Sequence, residues 1–427
     1  MATPQPTGAR EIGWLPDLVF TGGRFESGLA FFADALGRIM RFSREPGDLA
    51  QARRLNGMAA LPGLVDSSVR VLDRVRRGRS ASPPKSLGAA EARDVARLAF
   101  VEMLLSGVTC AAAFHRPGFG RSEASAMRAS DALAREVLRA AHEIGIRVAL
   151  CPVPPSDTSA EAFVHDMESL RKHIAEDYSG DMLWLGLALE RVERFGSDVL
   201  KAIGSYAHSQ RLRVLADLGP GGANREGSSR IGEQRPLQIL AESGLADKRL
   251  VVVPPAQVTR EEIAQLGAWR AALCVAPSEA QQTGTEIGPL DVAQAAGVTV
   301  ALGSGGFVQG NLLAEARQLP GSWTTLSSAE RATRLFHALT VGGARSLGAP
   351  SGALEVGRPA DFFTVNVFDP SIAGAAPGEL LEAIVFAMER RAVREVWIGG
   401  RQRLAGGRHA QQGPAVARFV EVAQRLE

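Results

Sequence analysis

Short apolar segments alternate with amphipathic segments through the centre of the chain, and this alternation restricts the fold more than any other feature. Eight segments predict strands: 61–66, 108–114, 147–153, 183–189, 212–218, 249–254, 271–276 and 298–303. Stretches between them carry apolar residues at i, i+3, i+4 and i+7 and predict helices: 88–106, 126–144, 159–177, 197–209 and 258–268. Repeated strand-then-helix units predict an α/β protein with a (β/α)₈ TIM-type barrel over 61–348, with a doubly wound open sheet as the alternative.

The two ends of the chain have a different pattern, in which short apolar runs are separated by glycine turns. Residues 15–60 follow this pattern, and so do 352–365 and 393–400. Such runs predict strands joined by tight turns. We therefore expect residues 1–60 and 349–427 to form one small composite β-sandwich domain, with the C-terminal tail attached to it.

Composition excludes several classes of partner. The 427 residues include 48 basic and 46 acidic ones, for a net charge of +2, which gives no reason to expect nucleic acid or a membrane surface as a partner. The chain has no run of 18 apolar residues, and its three cysteines are far apart in sequence. Reduced thiols and a cytoplasmic location are the expectation.

Several short motifs carry a resemblance to a known family. They are Leu61-Pro62-Gly63, Phe100-Val101-Glu102-Met103-Leu104, Gly107-Val108-Thr109, Phe114-His115, Ser278-Glu279-Ala280, Leu302-Gly303-Ser304 and the segment from Thr340 to Gly348. From about 15 to 410 the chain resembles the amidohydrolase superfamily, and within it the aminohydrolase branch that includes formimidoylglutamate deiminases. The resemblance implies a (β/α)₈ barrel with a β-sandwich built from both termini, as the strand pattern also predicts.

The resemblance implies a divalent metal ion at the barrel mouth, where it converts bound water into a nucleophile. Family members bind it with two histidines on strand 1, histidines on strands 5 and 6, and an aspartate on strand 8. The matching positions here are Ser68, Arg70, Val214, Pro254 and Gly305. Valine, proline and glycine side chains have no donor atom, and a guanidinium repels a cation. The sequence therefore predicts no metal site and no other cofactor.

Two residues remain as weak candidates for proton transfer. Asp217 stands where the deiminase-like proteins carry a general acid/base glutamate, and His115 follows predicted strand 2. The competing interpretation makes both structural, with Asp217 solvated and His115 bonded to neighbouring loops. If the two acted together in catalysis, their side chains would have to meet in one pocket.

Other residues are candidates for ligand binding. Glu190 and Glu193 stand where the relatives hold substrate with a histidine and an arginine, so a substrate carboxylate would be repelled. An acidic strand end facing Arg70 could instead form an ion pair that replaces the metal charge. Ser304 belongs to a glycine-rich loop after the last predicted strand, where backbone N–H groups can bind phosphate. The basic segment from Arg70 to Lys85 either binds an anion or is a solvated loop.

These observations leave three functional hypotheses. The leading one is an amidohydrolase-type barrel that has lost its metal centre and acts as a ligand-binding or regulatory protein, with a small-molecule ligand. It would form a homodimer or pair with an active relative. The second is a metal-independent hydrolase that reuses the barrel mouth through His115 and Asp217. The third is conventional amidohydrolase or deiminase activity.

Overall fold

A computed structural model describes most of the chain. The described residues are 11–76, 87–116, 123–155, 157–218, 235–253, 258–284, 287–306, 310–319, 323 and 326–426. Within them, no helix is both long enough and apolar enough to cross a membrane.

Five strands and one short helix form the N-terminal part. The strands are β1 (Ile12–Thr21), β2 (Arg24–Ser27), β3 (Ala30–Ala33), β4 (Ile39–Ser43) and β5 (Arg53–Pro62), and α1 (Pro46–Gln51) precedes β5. The predicted strand 61–66 straddles the end of β5 and the first barrel strand. The chain leaves the first sheet at Pro62 and enters the barrel at Leu64, so Gly63 joins the two units.

Parallel strands then build the barrel. They are β6 (Leu64–Val69), β7 (Val108–His115), β8 (Arg147–Pro152), β9 (Leu183–Leu185), β10 (Leu187–Glu190), β11 (Val214–Asp217), β12 (Leu250–Val253), β13 (Ala272–Val275) and β14 (Thr299–Leu302). Strands β9 and β10 flank Gly186 and act as one strand, with β9 pairing with β8 and β10 with β11. A bridge between Val69 and Gly305 joins the last strand to the first, which closes an eight-stranded barrel.

Helices follow the barrel strands, as the periodicity predicts. They are α2 (Ala89–Leu104), α3 (Glu123–Ile144), α4 (Ala160–Asp177), α5 (Ser197–Ser209), α6 (Pro236–Glu242), α7 (Arg260–Ala268), α8 (Pro277–Thr283), α9 (Leu290–Ala295), α10 (Leu312–Arg317), α11 (Ser328–His337) and α12 (Gly343–Leu347). Local sequence sets their starts. The Ser159 side chain accepts from the Ala162 N–H at the start of α4, and Thr259 forms a capping box with Glu262 at the start of α7.

Alternation along the strands divides the barrel residues between two apolar clusters. On β7, Cys110, Ala112 and Phe114 belong to the cluster inside the barrel. Ala111 and Ala113 belong to the cluster between the barrel and its helices. Because successive side chains of a strand point to opposite faces, only every second residue at a strand end can face the barrel mouth.

The C-terminal part returns to the first sheet. It contains α13 (Leu380–Phe386), α14 (Gln412–Leu426), β15 (Phe362–Asn366), β16 (Val393–Ile398) and β17 (Arg401–Leu404). The strand order β17-β16-β15-β5-β1-β3-β4, with β2 beside β1, makes one hydrogen-bonded sheet of eight strands from both ends of the chain.

This sheet curls over an aromatic core. In a flat sheet, β3 and β15 would lie about 14 Å apart, since each strand adds about 4.8 Å. Yet the ring centroids of Phe31 on β3 and Phe362 on β15 are 5.1 Å apart, and Trp14 on β1 contacts both rings. The two halves of the sheet therefore face each other across a shared core, as the sequence led us to expect of a β-sandwich.

A buried ion pair joins this unit to the barrel. Arg147, at the start of β8, donates through Nε to Asp361 Oδ2 at 2.5 Å and through Nη1 to Asp181 Oδ1 at 2.6 Å. Asp361 also accepts from the Gly399 N–H at 2.7 Å. Arg147 and Asp361 are 2% and 1% exposed, so this contact anchors the barrel base to the turn after β16.

Candidate functional site

The barrel mouth is organised around Arg70, the first residue after β6. All six residues of β6 are buried, and Arg70 itself is 7% exposed. Its N–H donates to the Gly305 carbonyl at 2.9 Å, and its carbonyl accepts from the Asp73 N–H at 3.0 Å. The backbone of Arg70 is therefore held on one side by the segment after the last barrel strand and on the other by the turn that follows β6.

Three carboxylates from different parts of the barrel surround the Arg70 guanidinium. Nη2 donates to Asp217 at the end of β11, and Nη1 donates to Glu279 in α8. Nε lies 3.8 Å from Glu190 Oε1 at the end of β10. The expected ion pair between an acidic strand end and Arg70 is confirmed.

A second arginine shares Glu190. Arg116, which follows β7, donates through Nε to both carboxylate oxygens of Glu190 at 2.8 Å. The charge of Asp73 also acts on Arg70, so the described carboxylates outnumber the two guanidiniums. Arg70 also lies over the Phe114 ring, with its guanidinium carbon 5.7 Å from the centroid. Phe114 belongs to the interior cluster, which places the charged group directly above the apolar filling of the barrel.

Burial and charge act against each other on Arg70. Burial acts to lower its pKa, whereas Glu279, Asp217 and Glu190 act to raise it, and the net direction is upward. Arg70 is therefore a permanent positive charge in this environment. Its Nε–H is buried and has no hydrogen-bond partner among the described residues.

Glu279 fills the space beside position 305. Gly305 has φ of +60°, and a Cβ built there would lie 2.1 Å from Glu279 Oε2. A side chain at this position would therefore collide with the carboxylate that holds Arg70. In the sequence, Ser278-Glu279-Ala280 indicated only the family, and this role of Glu279 was not predicted. An acidic residue shortly after a predicted barrel strand was the signal in the sequence that could have indicated this role.

Asp66 forms a second polar group below Arg70, inside β6. Oδ1 accepts from the N–H groups of Ser68 at 3.2 Å and Ser304 at 3.1 Å, and Oδ2 is 2.6 Å from Ser304 Oγ. Asp66 is fully buried, and this burial raises its pKa to about 7. Asp66 thus binds the backbone of Ser68 and both the backbone and the hydroxyl of Ser304.

His115 and Asp217 lie in different surroundings, so the geometry gives no support to the hypothesis that they form one acid/base pair. Asp217 lies at the barrel mouth with Arg70. His115 has the opposite alternation from Phe114 and lines a cleft outside the barrel, against α3 and α4. It is 2% exposed, and its carbonyl accepts from the Val153 N–H at 2.8 Å.

Two further sequence-derived positions lie away from the mouth. Val214 is the first residue of β11 and packs beside Leu212 and Ala207, toward the outer helices. Val214 begins its strand and belongs to the apolar cluster between the barrel and its helices, and its match to the family's strand 5 ligand stays a prediction. Glu193 is exposed in the turn after β10, with Oε1 3.8 Å from Arg191 Nε, and no ion pair joins it to Arg70 in the described part of the chain. Pro254 lies outside the described residues.

The basic segment after β6 is only partly described. Arg74 forms a bidentate pair with Glu102 on α2 and stacks over Phe419, so it faces the helices and not the mouth. Residues 77–86, which contain Arg77, Arg79 and Lys85, lie outside the described part, as does the side chain of Arg76. In the described ranges, no three histidine, cysteine, aspartate or glutamate side chains are grouped so that they could hold a metal ion. The three cysteines are free and buried.

Comparison with known proteins gives a family match over most of the chain. The model of the amidohydrolase family matches residues 59–403. A formimidoylglutamate deiminase from Pseudomonas aeruginosa is 28% identical over 357 residues, which cover 77% of each chain. A 5-methylthioadenosine/S-adenosylhomocysteine deaminase from Teredinibacter turnerae is 26% identical over 323 residues, covering 73% of this chain and 68% of the relative.

Solved structures show the same fold. An adenosine deaminase from Xanthomonas campestris with bound zinc superimposes with a TM-score of 0.81 at 19% identity, covering 97% of this chain and 98% of the other. An atrazine chlorohydrolase from Arthrobacter aurescens complexed with zinc gives 0.81 at 20% identity, covering 97% and 99%. These likenesses establish the barrel with its attached β domain.

Proposed function

The chain belongs to the amidohydrolase family, and we propose that it is a member in which the guanidinium of Arg70 takes the place of the catalytic metal ion. The supporting observation is the ring of three carboxylates around a buried, permanently charged side chain. The carboxylates come from the ends of β10 and β11 and from α8, and they converge on the residue that follows β6. A divalent cation at the same place would have to displace Arg70 into a less favourable environment.

The residues present do not fit the zinc that the solved structures of related fold contain. Zinc in proteins is held by about three or four nitrogen, sulfur or oxygen ligands. Ser68 is bonded to Asp66 through its backbone, and the Gly305 position offers no side chain. The carboxylates Asp217 and Glu279 are already paired with Arg70. We derive no hydrolytic step through a metal ion here.

In this proposal the protein is a catalytically degenerate homologue that binds a small molecule or regulates a partner. Anionic ligands such as a glutamate derivative are disfavoured at the mouth, because Glu190, Asp217 and Glu279 would lie close to the ligand charge. We further propose a cytoplasmic protein that forms a homodimer or pairs with an active relative. Free, buried cysteines support the cytoplasmic location.

Metal analysis combined with an activity assay tests the proposal. Purified protein is measured by inductively coupled plasma mass spectrometry, before and after incubation with Zn²⁺ or Fe²⁺ and gel filtration. Ammonia release is then followed with formimidoylglutamate and with 5-methylthioadenosine, using the Pseudomonas aeruginosa deiminase as positive control. We expect far less than one equivalent of metal and no turnover above buffer. About one equivalent of metal together with turnover would refute the proposal.

The metal-independent alternative receives no support from the geometry. It required His115 and Asp217 in one pocket, and the structure separates them between the outer cleft and the barrel mouth. Asp217 Oδ2 also accepts from Arg70 Nη2, which occupies an oxygen that a substrate proton would need.

A further inference from the structure

The C-terminal helix α14 packs against the barrel beside the turn that follows β6. Ala415, Phe419 and Val422 are buried and lie on one face of the helix, at i, i+4 and i+7. Arg74, in the turn just after Arg70, lies over the Phe419 ring with its guanidinium carbon 5.5 Å from the centroid. The position of α14 is therefore linked to the segment that leaves the barrel mouth.

His409 precedes α14 and fixes its start. Its carbonyl accepts from the Gln412 N–H at 3.0 Å, and its ring Nδ1 accepts from the Gln411 N–H at 3.1 Å. The other ring nitrogen, Nε2, lies 3.3 Å from the carbonyl oxygen of Ile144, the last residue of α3. Arg97 of α2 donates through Nη2 to Gln411 Oε1 at 2.8 Å. N–H groups at a helix start have no partner within the helix, so His409 both caps α14 and attaches it to the barrel helices.

These two hydrogen bonds define the protonation state of the His409 ring. The Ile144 carbonyl can only accept, so Nε2 carries a proton, whereas Nδ1 accepts from Gln411 and carries none. The ring is therefore neutral, and it is buried, with 8% of the residue exposed. A second proton on Nδ1 would face the Gln411 N–H and remove its acceptor.

The surroundings of His409 also disfavour a positive charge. Charged residues on the elements around it include Arg401 and Arg403 on β17, Asp94 and Arg97 on α2, Glu143 on α3 and the preceding residue Arg408. Both acidic residues pair with Arg97, Asp94 at 3.5 Å and Glu143 at 3.6 Å. Burial lowers the pKa of His409, the bond to Ile144 opposes this, the charge of Arg403 lowers it further, and the net direction is downward. The positive end of the α14 dipole acts in the same direction as Arg403.

We propose that His409 is a pH-sensitive latch for α14, in which the neutral ring holds the start of the helix on the barrel and protonation loosens it. Opening of α14 would separate Phe419 from Arg74. A released histidine titrates near its ordinary pKa of about 6.5, so attachment is complete above about pH 7 and weakens as pH falls below about 6.5. The latch lies outside the barrel mouth and does not depend on whether a metal ion binds there.

Hydrogen exchange of the full chain at about pH 7.5 and about pH 5.5, corrected for the intrinsic rate at each pH, tests the latch. Protection of the amides of residues 412–426 should fall by about three- to tenfold at the lower pH, because one pH unit below the ordinary histidine pKa changes the equilibrium by at most about tenfold. Amides of β1 and β5 should keep their protection. Carboxylates with ordinary pKa values of about 4 stay ionised over this range.

Variants assign the effect to His409. His409→Gln keeps one donor and one acceptor without a titrating group, so protection of α14 should no longer depend on pH in this range. His165→Gln is the matched control, since His165 is exposed on α4, and it should behave as the parent. Asp66 is unchanged in both variants, and its raised pKa acts in the opposite direction, since it stabilises the folded state as pH falls. Equal protection of α14 at both pH values in the parent, or an unchanged loss in His409→Gln, overturns the proposal.

A second readout uses the parent protein itself. Long-range ¹H–¹⁵N NMR spectra of ¹⁵N-histidine protein distinguish the neutral tautomers from the charged ring among the seven histidines. His409, assigned by comparison with the variants, should carry its proton on Nε2 at about pH 7.5 and become charged over the range in which α14 loses protection. A His409 ring that is charged at about pH 7.5, or that carries its proton on Nδ1 there, would also overturn the proposal.

Discussion

Replacing Arg70 by methionine would test directly whether the barrel mouth is built around a positive charge. Methionine keeps much of the aliphatic stem and removes the guanidinium. Asp217 and Glu279 would then lose their hydrogen bonds to the Arg70 guanidinium, and Glu190 would keep its pair with Arg116. The variant therefore changes electrostatics much more than it changes packing.

The burial of the pair sets the size of the expected effect. The Arg70 side chain is 8% exposed, and those of Asp217 and Glu279 are 14% and 24% exposed. Removing one partner of a buried ion pair typically costs about 3–5 kcal/mol, because the remaining charge is left uncompensated. We expect Arg70→Met to lower the free energy of unfolding by about this amount at neutral pH. Adding Asp217→Asn and Glu279→Gln to Arg70→Met should then recover at least half of the loss, because no unpaired charge remains there.

Urea unfolding followed by circular dichroism, with and without these compensating changes, provides the measurement. Arg171→Met is the matched control, since Arg171 is 55% exposed and pairs with Glu168 on the surface of α4. Exposed pairs contribute about 0–1 kcal/mol, so the control should remain close to the parent protein. A loss at Arg70 no larger than at Arg171 would contradict the reasoning. So would a compensated triple variant that is no more stable than Arg70→Met alone.

Three further predictions concern neighbouring features. Asp66→Asn reproduces the protonated carboxyl, so the variant should gain stability relative to the parent as pH rises from about 4 to about 7, by up to about 4 kcal/mol. The direction follows from the raised pKa of Asp66, because the folded state favours the protonated carboxyl. The parent therefore has its full stability at low pH and loses this contribution as pH rises through about 7. Arg147→Met breaks the buried pair that anchors the β domain and should cost about 3–5 kcal/mol in urea unfolding. Gly305→Ala should cost about 1–3 kcal/mol, since φ is +60° and the new Cβ would meet Glu279.

Each of these predictions has an outcome that opposes it. If the free energies of unfolding of the parent and of Asp66→Asn changed in parallel from pH about 4 to about 7, Asp66 would be ionised in the folded state over that range. Unchanged unfolding of Arg147→Met would mean that the two units do not depend on this contact. For Gly305→Ala, the comparison is Gly378→Ala, where a Cβ would meet nothing within 4 Å. Equal stability of the two alanine variants would argue against the close approach of Glu279.

Local patterns in the sequence were sufficient for the architecture. The predicted helix 159–177 is observed as Ala160–Asp177, and the predicted strand 108–114 as Val108–His115. Helix and strand periods depend on side chains a few residues apart, so they can be read without knowledge of the tertiary fold. The prediction failed by a few residues at 61–66, because both sides of Gly63 are apolar although they belong to different sheets.

The site was predictable only in part. The ion pair between Arg70 and Glu190 was expected, because both residues end barrel strands and ends of parallel strands meet at one rim. The role of Glu279 was missed, since it depends on a helix folding back over the mouth beside Gly305. His115 was placed at the right strand end but on the wrong side of the sheet. A change of one residue in strand alternation reverses the direction of a side chain.

The sequence by itself determined the order of strands and helices, the family and the residue types present at the motif positions. Only the tertiary structure decided which charges meet. Asp217 and Glu279 are 147 and 209 residues from Arg70 along the chain. Contacts over such separations depend on strand register, side-chain direction and the path of loops, none of which leaves a local periodic pattern. The physical character of the mouth, a buried guanidinium within a ring of carboxylates, therefore emerges only when the barrel closes.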